Sequence, residues 1–277
     1  MKPPPLDYFR PETLADAVEA LRLNPDHVPI SGGQSLLPML NLRVTGPAAV
    51  INLARLPELR TAVAGAGTVR IGAAITHAEI EDGKVPDPSR GMMPKVAAGI
   101  AYRAVRNFGT IGGAVALSDP AADWPACLMA LATSALIVGP ASERRMQMEA
   151  LILGPYATAL EPQEIITEFE IPTLGPDARW GWRKLARKQG AYADSIGAAV
   201  WPGNGAPPRI VFGANGDRPV LLTAVSSALS RRPDLAGAEL RAVVMEEIHS
   251  FDPGADTYRL RCHVATVERA ITQASAA

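Results

Sequence analysis

The chain has 277 residues, which is enough for two domains that each bury a core of their own. Its 27 basic and 28 acidic residues leave a net charge of −1 with no basic run, and this balance argues against a nucleic-acid partner. The N-terminal stretch MKPPPLDYFRP is rich in proline and has no apolar signal region, and no stretch approaches the roughly 18 apolar residues of a transmembrane helix, so we expect a cytoplasmic protein without a transmembrane segment.

The first part of the chain alternates short helices and strands. Apolar residues at helical spacing predict an amphipathic helix over residues 12–25, which Pro25 ends. A short strand at 27–30 runs into the first glycine pair and is followed by a helical turn broken near Pro38. Further strands are predicted at 48–53, 68–76, 134–140 and 164–172, and further helices at 77–83, 93–105 and 124–133.

A linker at residues 173–179 divides the chain, and we place a domain boundary near residue 176. Three strand-like runs beyond it predict an antiparallel sheet, which three helical stretches follow. The fold class is therefore α+β. We expect residues 1–175 to form one domain with lobes of about 1–53 and 54–175, and 176–277 to form a smaller domain with a three-stranded sheet backed by helices. The three runs are 182–188, 193–201 and 209–216, and the helices are 222–233, 238–250 and 257–274.

Two glycine pairs mark places where the backbone must approach something closely. Gly32-Gly33 lies in the stretch ISGGQSLLPMLNLR, and Gly112-Gly113 lies in GTIGGAVALSDPAADWP. Because glycine lacks a Cβ, consecutive glycines let main-chain N–H groups face an anionic ligand. Neither stretch matches the dinucleotide-binding or P-loop fingerprints, and on local pattern alone tight turns explain them equally well.

Two aspartates, Asp119 and Asp123, follow the second glycine pair. Their carboxylates can accept hydrogen bonds from the sugar hydroxyls of a ligand whose phosphates lie against the glycines. They can instead cap the following helix, where aspartate is favoured in any protein. The two roles are compatible, so both stay open.

Four segments, taken in this order, resemble the FAD-binding medium subunits of molybdenum hydroxylases, the family of the carbon monoxide dehydrogenase and xanthine dehydrogenase flavoproteins. They are ISGGQSLLPMLNLR, GTIGGAVALSDPAADWPA, LEPQEIITEFEIP and KLARKQGAYADSIGAAV. The resemblance implies an FAD-binding domain of the vanillyl-alcohol-oxidase (PCMH-like) type and a small C-terminal domain with a three-stranded sheet. It also implies a dimer of heterotrimers, in which a large molybdopterin subunit and a small [2Fe–2S] subunit carry the metal centres.

The resemblance assigns cofactor contacts as well. Both glycine loops would hold the FAD pyrophosphate through backbone amides. Asp123 would hydrogen-bond the sugar portion, while Ile100 and Ile166 would line the cofactor. Lys184 and Tyr192 would lie near the isoalloxazine ring, where a cation and an aromatic ring both suit a flavin. The full set of expected contacts is Ile30, Ser31, Gly32, Gly33, Gln34, Ser35, Leu36, Ile100, Thr110, Ile111, Gly112, Gly113, Ala114, Asp119, Asp123, Ile166, Lys184 and Tyr192.

The implied function is that of an oxidoreductase subunit whose FAD takes electrons from the partner's [2Fe–2S] clusters and passes them to an external acceptor. No side chain of this chain would act on the organic substrate. Many family members have asparagine in place of Ala114 and an acidic residue in place of Ala191. The alternatives are a stand-alone flavin oxidase of the vanillyl-alcohol-oxidase type and a flavin-less assembly subunit. The substrate stays open, as does the acceptor among NAD, a quinone, a cytochrome and oxygen.

The cysteines and histidines show no metal-ligand spacing, so we expect no metal site in this chain. Cys127 and Cys262 are far apart, which excludes a disulfide framework and a cysteine-ligated cluster within the chain. A surface or capping position is expected for each of the histidines, which are His27, His77, His249 and His263.

Two arginine pairs have a simple structural interpretation. Arg144-Arg145 and Arg231-Arg232 are expected at solvated helix and turn ends. Contact with a partner subunit is the alternative.

Overall fold

The structure, a computed structural model, describes residues 2–276 and contains fourteen strands and eleven α-helices in that range. The strands are β1 (Asp7–Phe9), β2 (His27–Ile30), β3 (Ala49–Asn52), β4 (Ala62–Ala64), β5 (Thr68–Gly72), β6 (Ser134–Val138), β7 (Glu143–Gln147), β8 (Ile152–Gly154), β9 (Ala157–Thr158), β10 (Ile165–Pro172), β11 (Arg179–Leu185), β12 (Ser195–Trp201), β13 (Arg209–Gly213) and β14 (Val220–Leu221). The helices are α1 (Leu14–Leu23), α2 (Leu36–Asn41), α3 (His77–Glu81), α4 (Met92–Ala98), α5 (Arg103–Arg106), α6 (Ile111–Leu117), α7 (Asp123–Ala130), α8 (Met148–Leu151), α9 (Thr223–Arg231), α10 (Gly237–Phe251) and α11 (Thr257–Ser275).

The N-terminal part of the chain forms a parallel three-stranded sheet in the order β1-β3-β2. Helix α1 packs its apolar face against this sheet. The helix begins with a capping box, in which the Thr13 hydroxyl accepts the amide of Asp16 and the Asp16 carboxylate accepts the amide of Thr13. Strand β2 ends at the first glycine pair, so the sheet presents residues 31–36 at the carboxyl end of its strands.

The central sheet is antiparallel, with five strands in the order β4-β5-β10-β6-β7. It packs with α4, α6 and α7 around a core that contains the fully buried Trp124 and Phe169. The predicted strand at 164–172 and the predicted helix at 124–133 are confirmed as β10 and α7. The second glycine pair belongs to α6, whose first turn lies beside the end of β5.

The C-terminal sheet is antiparallel in the order β11-β12-β13-β14, with α11 packed along it and α9 and α10 completing a second core. The expected three-stranded sheet therefore has a fourth strand, Val220–Leu221, which pairs with β13. Two residues between turns carry no alternating pattern, which is why the sequence does not predict this strand.

Two helix predictions in the first half were wrong in detail. The helix expected over residues 93–105 is two helices, because α4 ends at Ala98 and Ala101 takes a left-handed backbone (φ 42°) before α5 begins. Helix α2 continues through Pro38, where a break was expected. Pro38 lies in the first turn of α2, where its missing N–H removes no intrahelical hydrogen bond.

Arg144 and Arg145 do not lie at a helix or turn end but in the edge strand β7. Arg144 pairs with Glu164 at 2.7 Å, and Arg145 pairs with Glu170 at 2.6 Å. The charged stretch forms a strand because β6 offers a free edge and these carboxylates lie within reach of its arginines. Among residues 2–276, none of the helices combines the length and the apolar character needed to cross a bilayer.

Candidate cofactor site

The two glycine pairs line one cavity of about 340 Å³. Leu160, Ile165 and Ile166 form an apolar part of its wall. The carboxylate of Glu164 also lines it and is paired with Arg144. The expected contacts that line this cavity are Ile30, Ser31, Gly32, Gly33, Gln34, Ser35, Leu36, Thr110, Gly112, Gly113, Ala114 and Ile166.

Hydrogen bonds and close packing hold the two glycine loops together. The hydroxyl of Thr110 donates to that of Ser31 at 3.0 Å and accepts the amide of Gly113 at 3.1 Å. A Cβ on Gly32 would overlap the carbonyl of Phe108, so only glycine fits where the first loop crosses the second. The first glycine pair is therefore required partly by contact between the loops themselves.

The loops differ in the state of their backbone amides. Within residues 2–276, the amides of residues 31–36 have no hydrogen-bond acceptor, and Gly33 has a left-handed backbone (φ 69°) among them. The amides of residues 111–114 are all bonded inside the protein, to the carbonyls of Ile75, Ala73 and Thr110 and to the Thr110 hydroxyl. The expectation that both loops offer backbone amides to a pyrophosphate therefore fits the first loop and, in the second, only the amide of Thr110, which has no acceptor among residues 2–276. The amides of the second loop seat α6 against the chain after β5.

The remaining expected contacts lie outside the lining of this cavity. The side chain of Ile111 is buried in the central core. Lys184 of β11 and Asp123 of α7 form an ion pair at 2.8 Å, with side chains that are 13% and 6% exposed. The Lys184 ammonium also donates to the Gly99 carbonyl at 3.4 Å. The ion pair thus joins the C-terminal sheet to the helix that follows the second glycine pair.

Only one oxygen of the Asp123 carboxylate has a hydrogen-bond partner among residues 2–276. Burial raises its pKa to about 6, against the opposing effect of the Lys184 ammonium. Its second oxygen, Oδ1, is buried and has no hydrogen-bond partner among residues 2–276. A buried acceptor of this kind calls for a donor from a ligand or a water molecule.

Tyr192 reaches the same region from the segment after β11. Gly190 bridges to Ile100 in a parallel arrangement, and glycine fits there because the backbone is left-handed (φ 77°) and a Cβ would lie 2.5 Å from the Ala101 carbonyl oxygen. This bridge holds the Tyr192 segment beside Ile100. The Tyr192 side chain is 66% exposed, which leaves an aromatic face free to stack on a planar ligand.

Asp119 lies between the second glycine pair and α7. One oxygen of its carboxylate accepts the amide of Ala121 at 2.8 Å, and the other lies 3.4 Å from the hydroxyl of Tyr156. The charge of Asp119 raises the pKa of Tyr156, and partial desolvation followed by the same charge raises the pKa of Tyr192. Tyr156 is a residue of this region that the sequence analysis missed. It follows no recognised motif, and only the chain reversal at β8 and β9 brings it here.

Comparison with known proteins decides the family. Residues 4–174 match the family described as the FAD binding domain in molybdopterin dehydrogenase. The chain belongs to this family.

Relatives of this flavoprotein cover all or most of the chain. The medium subunit of nicotine 6-hydroxylase from Paenarthrobacter nicotinovorans is 36% identical over 69% of this chain and 67% of the relative. Subunit alpha of the 6-hydroxypseudooxynicotine dehydrogenase complex from the same organism is 30% identical over 99% of this chain and 96% of its own. A chain of the carbon monoxide dehydrogenase structure from Hydrogenophaga pseudoflava, which lacks the Mo-pyranopterin moiety, superposes with a TM-score of 0.91 at 29% identity, covering 100% of this chain and 99% of that one. The expected mixed α and β fold is therefore confirmed.

The residues present fit FAD on three counts. The unbonded amides of residues 31–36 suit an anionic pyrophosphate, since oriented backbone N–H groups form anion sites. The unpartnered Oδ1 of Asp123 suits a sugar hydroxyl. The exposed ring of Tyr192 and the apolar wall at Ile166 suit flat ring systems.

Two histidines of the flavoprotein are buried, which corrects the expectation of surface or capping positions. His77 accepts a hydrogen bond at Nδ1 from the indole of Trp124 at 3.0 Å, and burial lowers its pKa to about 4. His263 accepts from the Arg259 guanidinium at Nε2 and contacts Ser195 through Nδ1 at 2.9 Å, and burial again lowers its pKa to about 4. In the described range, no three His, Cys, Asp or Glu side chains are grouped to bind a metal ion.

Proposed function

We propose that this chain is the FAD-binding medium subunit of a heteromeric molybdenum-dependent hydroxylase or dehydrogenase. In this role it would hold FAD between [2Fe–2S] clusters on a partner subunit and an external electron acceptor. The names of its relatives support the proposal, since they include a medium subunit of a hydroxylase and a subunit of a dehydrogenase complex. The observation that carries it is the cavity between the glycine pairs, with the free amides of residues 31–36 on its wall, inside a matched FAD-binding domain.

FAD suits this task because, when bound, it accepts electrons singly and releases one or two. The protein supplies binding and orientation. The amides of residues 31–36 would bind the pyrophosphate, and the hydrogen bond between Ser31 and Thr110 would keep the second loop against the first. Oδ1 of Asp123 would accept a sugar hydroxyl while Lys184 holds the other oxygen in place.

The ring end of the site stays a proposal based on the family resemblance. Lys184 and Tyr192 would lie near the isoalloxazine ring, and Ile100 and Ile166 would line the cofactor. Two contacts support a shared location for Lys184, Tyr192 and Ile100, since Lys184 contacts the Gly99 carbonyl and Gly190 bridges to Ile100. The Tyr192 side chain is exposed, as expected of a residue that controls access from solvent to the isoalloxazine ring.

The finer architecture is also proposed. We infer a vanillyl-alcohol-oxidase (PCMH-like) FAD domain over residues 1–175, with lobes that correspond to the parallel sheet and the five-stranded sheet, and a second domain over 176–277. The gap between β10, which ends at Pro172, and β11, which begins at Arg179, supports this division. Assembly as a dimer of heterotrimers with molybdopterin and [2Fe–2S] subunits, and a cytoplasmic location, stay predictions.

Purification of the full chain with and without its partner subunits tests the function. The isolated chain is expected to be yellow, to release FAD on denaturation, and to reduce an acceptor at the expense of the organic substrate only when the partners are present. Turnover by the chain alone would support a stand-alone flavin oxidase instead. A folded, colourless chain that ignores added FAD would support a flavin-less assembly subunit and contradict the proposal.

A further inference from the structure

A buried histidine lies beside the second loop, in which only the amide of Thr110 has no acceptor among residues 2–276. His77 is 5% exposed and lines the cavity together with Gly109 and Thr110. Its Nε2 atom lies against the backbone of Gly109, because a Cβ added to that glycine would be 2.8 Å from it. The amides of residues 111–114, by contrast, are all bonded within the protein. His77 therefore adds a side-chain polar group to the cavity wall beside the second loop.

The hydrogen bond from Trp124 determines which nitrogen of His77 carries the proton. The indole N–H can only donate, and it donates to Nδ1 at 3.0 Å. A neutral imidazole that accepts at Nδ1 must carry its proton on Nε2. The ring is neutral near pH 7, because burial and then the Arg106 guanidinium lower its pKa to about 4. Trp124 is itself fully buried in α7, which keeps this arrangement rigid.

The resulting Nε2–H has no acceptor among residues 2–276. This nitrogen is not among the fully buried polar atoms that lack a partner in the described residues, so it is accessible, and His77 lines the cavity, where an acceptor on a ligand can reach the N–H group. In the described chain, neither lysine nor arginine lines the cavity, and the Glu164 carboxylate there is already paired with Arg144. An anion bound here must therefore be held by neutral donors, of which the first loop supplies one group and His77 another.

We infer that His77 is a cofactor-binding residue, which donates from Nε2 to an oxygen of the FAD pyrophosphate, with Trp124 as the positioning residue that presents this donor. The inference rests on the proposed function, since it requires FAD in the cavity. It assigns to the second-loop side of the site a side-chain donor in place of the backbone amides of residues 111–114. It also explains Gly109 in the second loop, because a side chain at that position would collide with the His77 ring.

Titration of the flavin-free full chain with FAD tests the inference. The variants are His77→Phe, His77→Gln and Trp124→Phe, and the matched control is His263→Gln, which alters a second buried histidine that does not line the cavity. His77→Phe loses a hydrogen bond to a charged group and is therefore expected to bind FAD at least about tenfold more weakly than the wild type. His77→Gln keeps a donor and is expected to recover part of the affinity, while Trp124→Phe is expected to fall between. His263→Gln is expected to bind FAD like the wild type.

Two spectroscopic readouts separate binding from a structural role. The ³¹P resonances of bound FAD are expected to shift in His77→Phe but not in His263→Gln. In wild-type chain labelled with ¹⁵N-histidine, the Nε2–H signal of His77 is expected to move when FAD is added, a measurement that does not require the variants to fold. The inference, but not the proposed function, is overturned by either of two results. One is a folded His77→Phe chain with wild-type FAD affinity and unchanged ³¹P shifts, and the other is a His77 signal that does not move at saturating FAD. A wild-type chain that binds no FAD overturns both the inference and the proposed function.

Discussion

The hydroxyl of Thr110 lies 3.0 Å from the hydroxyl of Ser31, although the two residues are 79 positions apart in the chain. The same Thr110 oxygen accepts the amide of Gly113 and so caps α6. One side chain therefore begins the helix of the second loop and fastens that loop to the first. The geometry of the cavity depends on this contact.

Removal of the Thr110 hydroxyl is expected to affect stability and FAD binding together. Thr110→Val keeps the side-chain shape but loses the cap and the bond to Ser31, so it should lower the free energy of unfolding by about 1 kcal/mol and weaken FAD binding. Thr13→Val is the matched control, because Thr13 caps α1 in the same way but lies outside the cavity lining. Denaturant unfolding and FAD titration of both variants check this. Equal FAD affinities in the two variants would contradict the role given to Thr110.

A methyl group at Gly32 is expected to separate the two loops. The added Cβ would overlap the Phe108 carbonyl, which cannot move without disturbing the turn before Thr110. Gly32→Ala should therefore lose most FAD binding and cost roughly 1–3 kcal/mol of stability, as overpacking does. Gly254→Ala is the control, since a Cβ there meets nothing within 4 Å. If Gly32→Ala retained FAD as tightly as Gly254→Ala does, the close approach of the loops would not matter for binding.

The ion pair between Lys184 and Asp123 is expected to contribute strongly because it is buried. Lys184→Met leaves a buried carboxylate without its counter-ion and should lower the free energy of unfolding by about 3–5 kcal/mol. Addition of Asp123→Asn to this variant should recover part of the loss, because the amide carries no charge. Arg241→Met serves as the control, since Arg241 pairs with Glu268 while 64% exposed and should cost less than about 1 kcal/mol. If Lys184→Met and Arg241→Met lowered the free energy of unfolding by similar amounts, the buried ion pair would contribute no more than the exposed one.

The free energy of unfolding is expected to fall between about pH 6.5 and 4. The pKa values of His77 and His263 are lowered from 6.5 to about 4, so the unfolded chain takes up these protons first as the pH falls. Asp123 acts in the opposite sense. Its pKa is raised from 3.8 to about 6, so the folded chain takes up that proton first and gains stability below pH 6. Two histidines outweigh one aspartate, which gives the net fall.

Urea unfolding at several pH values between 7 and 4 checks this balance. His263→Gln removes one of the destabilising protonations and should make the decline shallower. Asp123→Asn removes the protonation that stabilises the folded chain and should make the decline steeper. A free energy of unfolding that stays constant or rises over this range would contradict the assigned shifts.

Local patterns predicted the elements whose apolar residues repeat regularly. Strand β10 and helix α7 were predicted within one to three residues of their ends because each buries a periodic set of side chains. Strand β7 was missed because Glu143–Gln147 carries charges where a strand pattern needs apolar residues. Its strand conformation depends on pairing with β6 and on carboxylates of distant segments, which no local window contains.

The candidate site shows the same division. The glycine pairs were visible in the sequence, but the reason for Gly32 is the carbonyl of Phe108 on another loop. The sequence also could not show that the amides of residues 111–114 are bonded to Ala73, Ile75 and Thr110, since these contacts depend on how α6 meets the end of β5. His77 was not identified as a site residue for the same reason. Its role as a donor depends on the hydrogen bond from Trp124, which is 47 residues away in the chain.

The measurement that tests the account most directly is residue-resolved hydrogen exchange of the backbone amides, with and without FAD. The account predicts that FAD binding protects the amides of residues 31–36, which have no acceptor within the described residues 2–276, and changes those of residues 111–114 little, because they are already bonded. Saturating FAD that leaves residues 31–36 as exchangeable as before would contradict the claim that this cavity is the FAD pyrophosphate site.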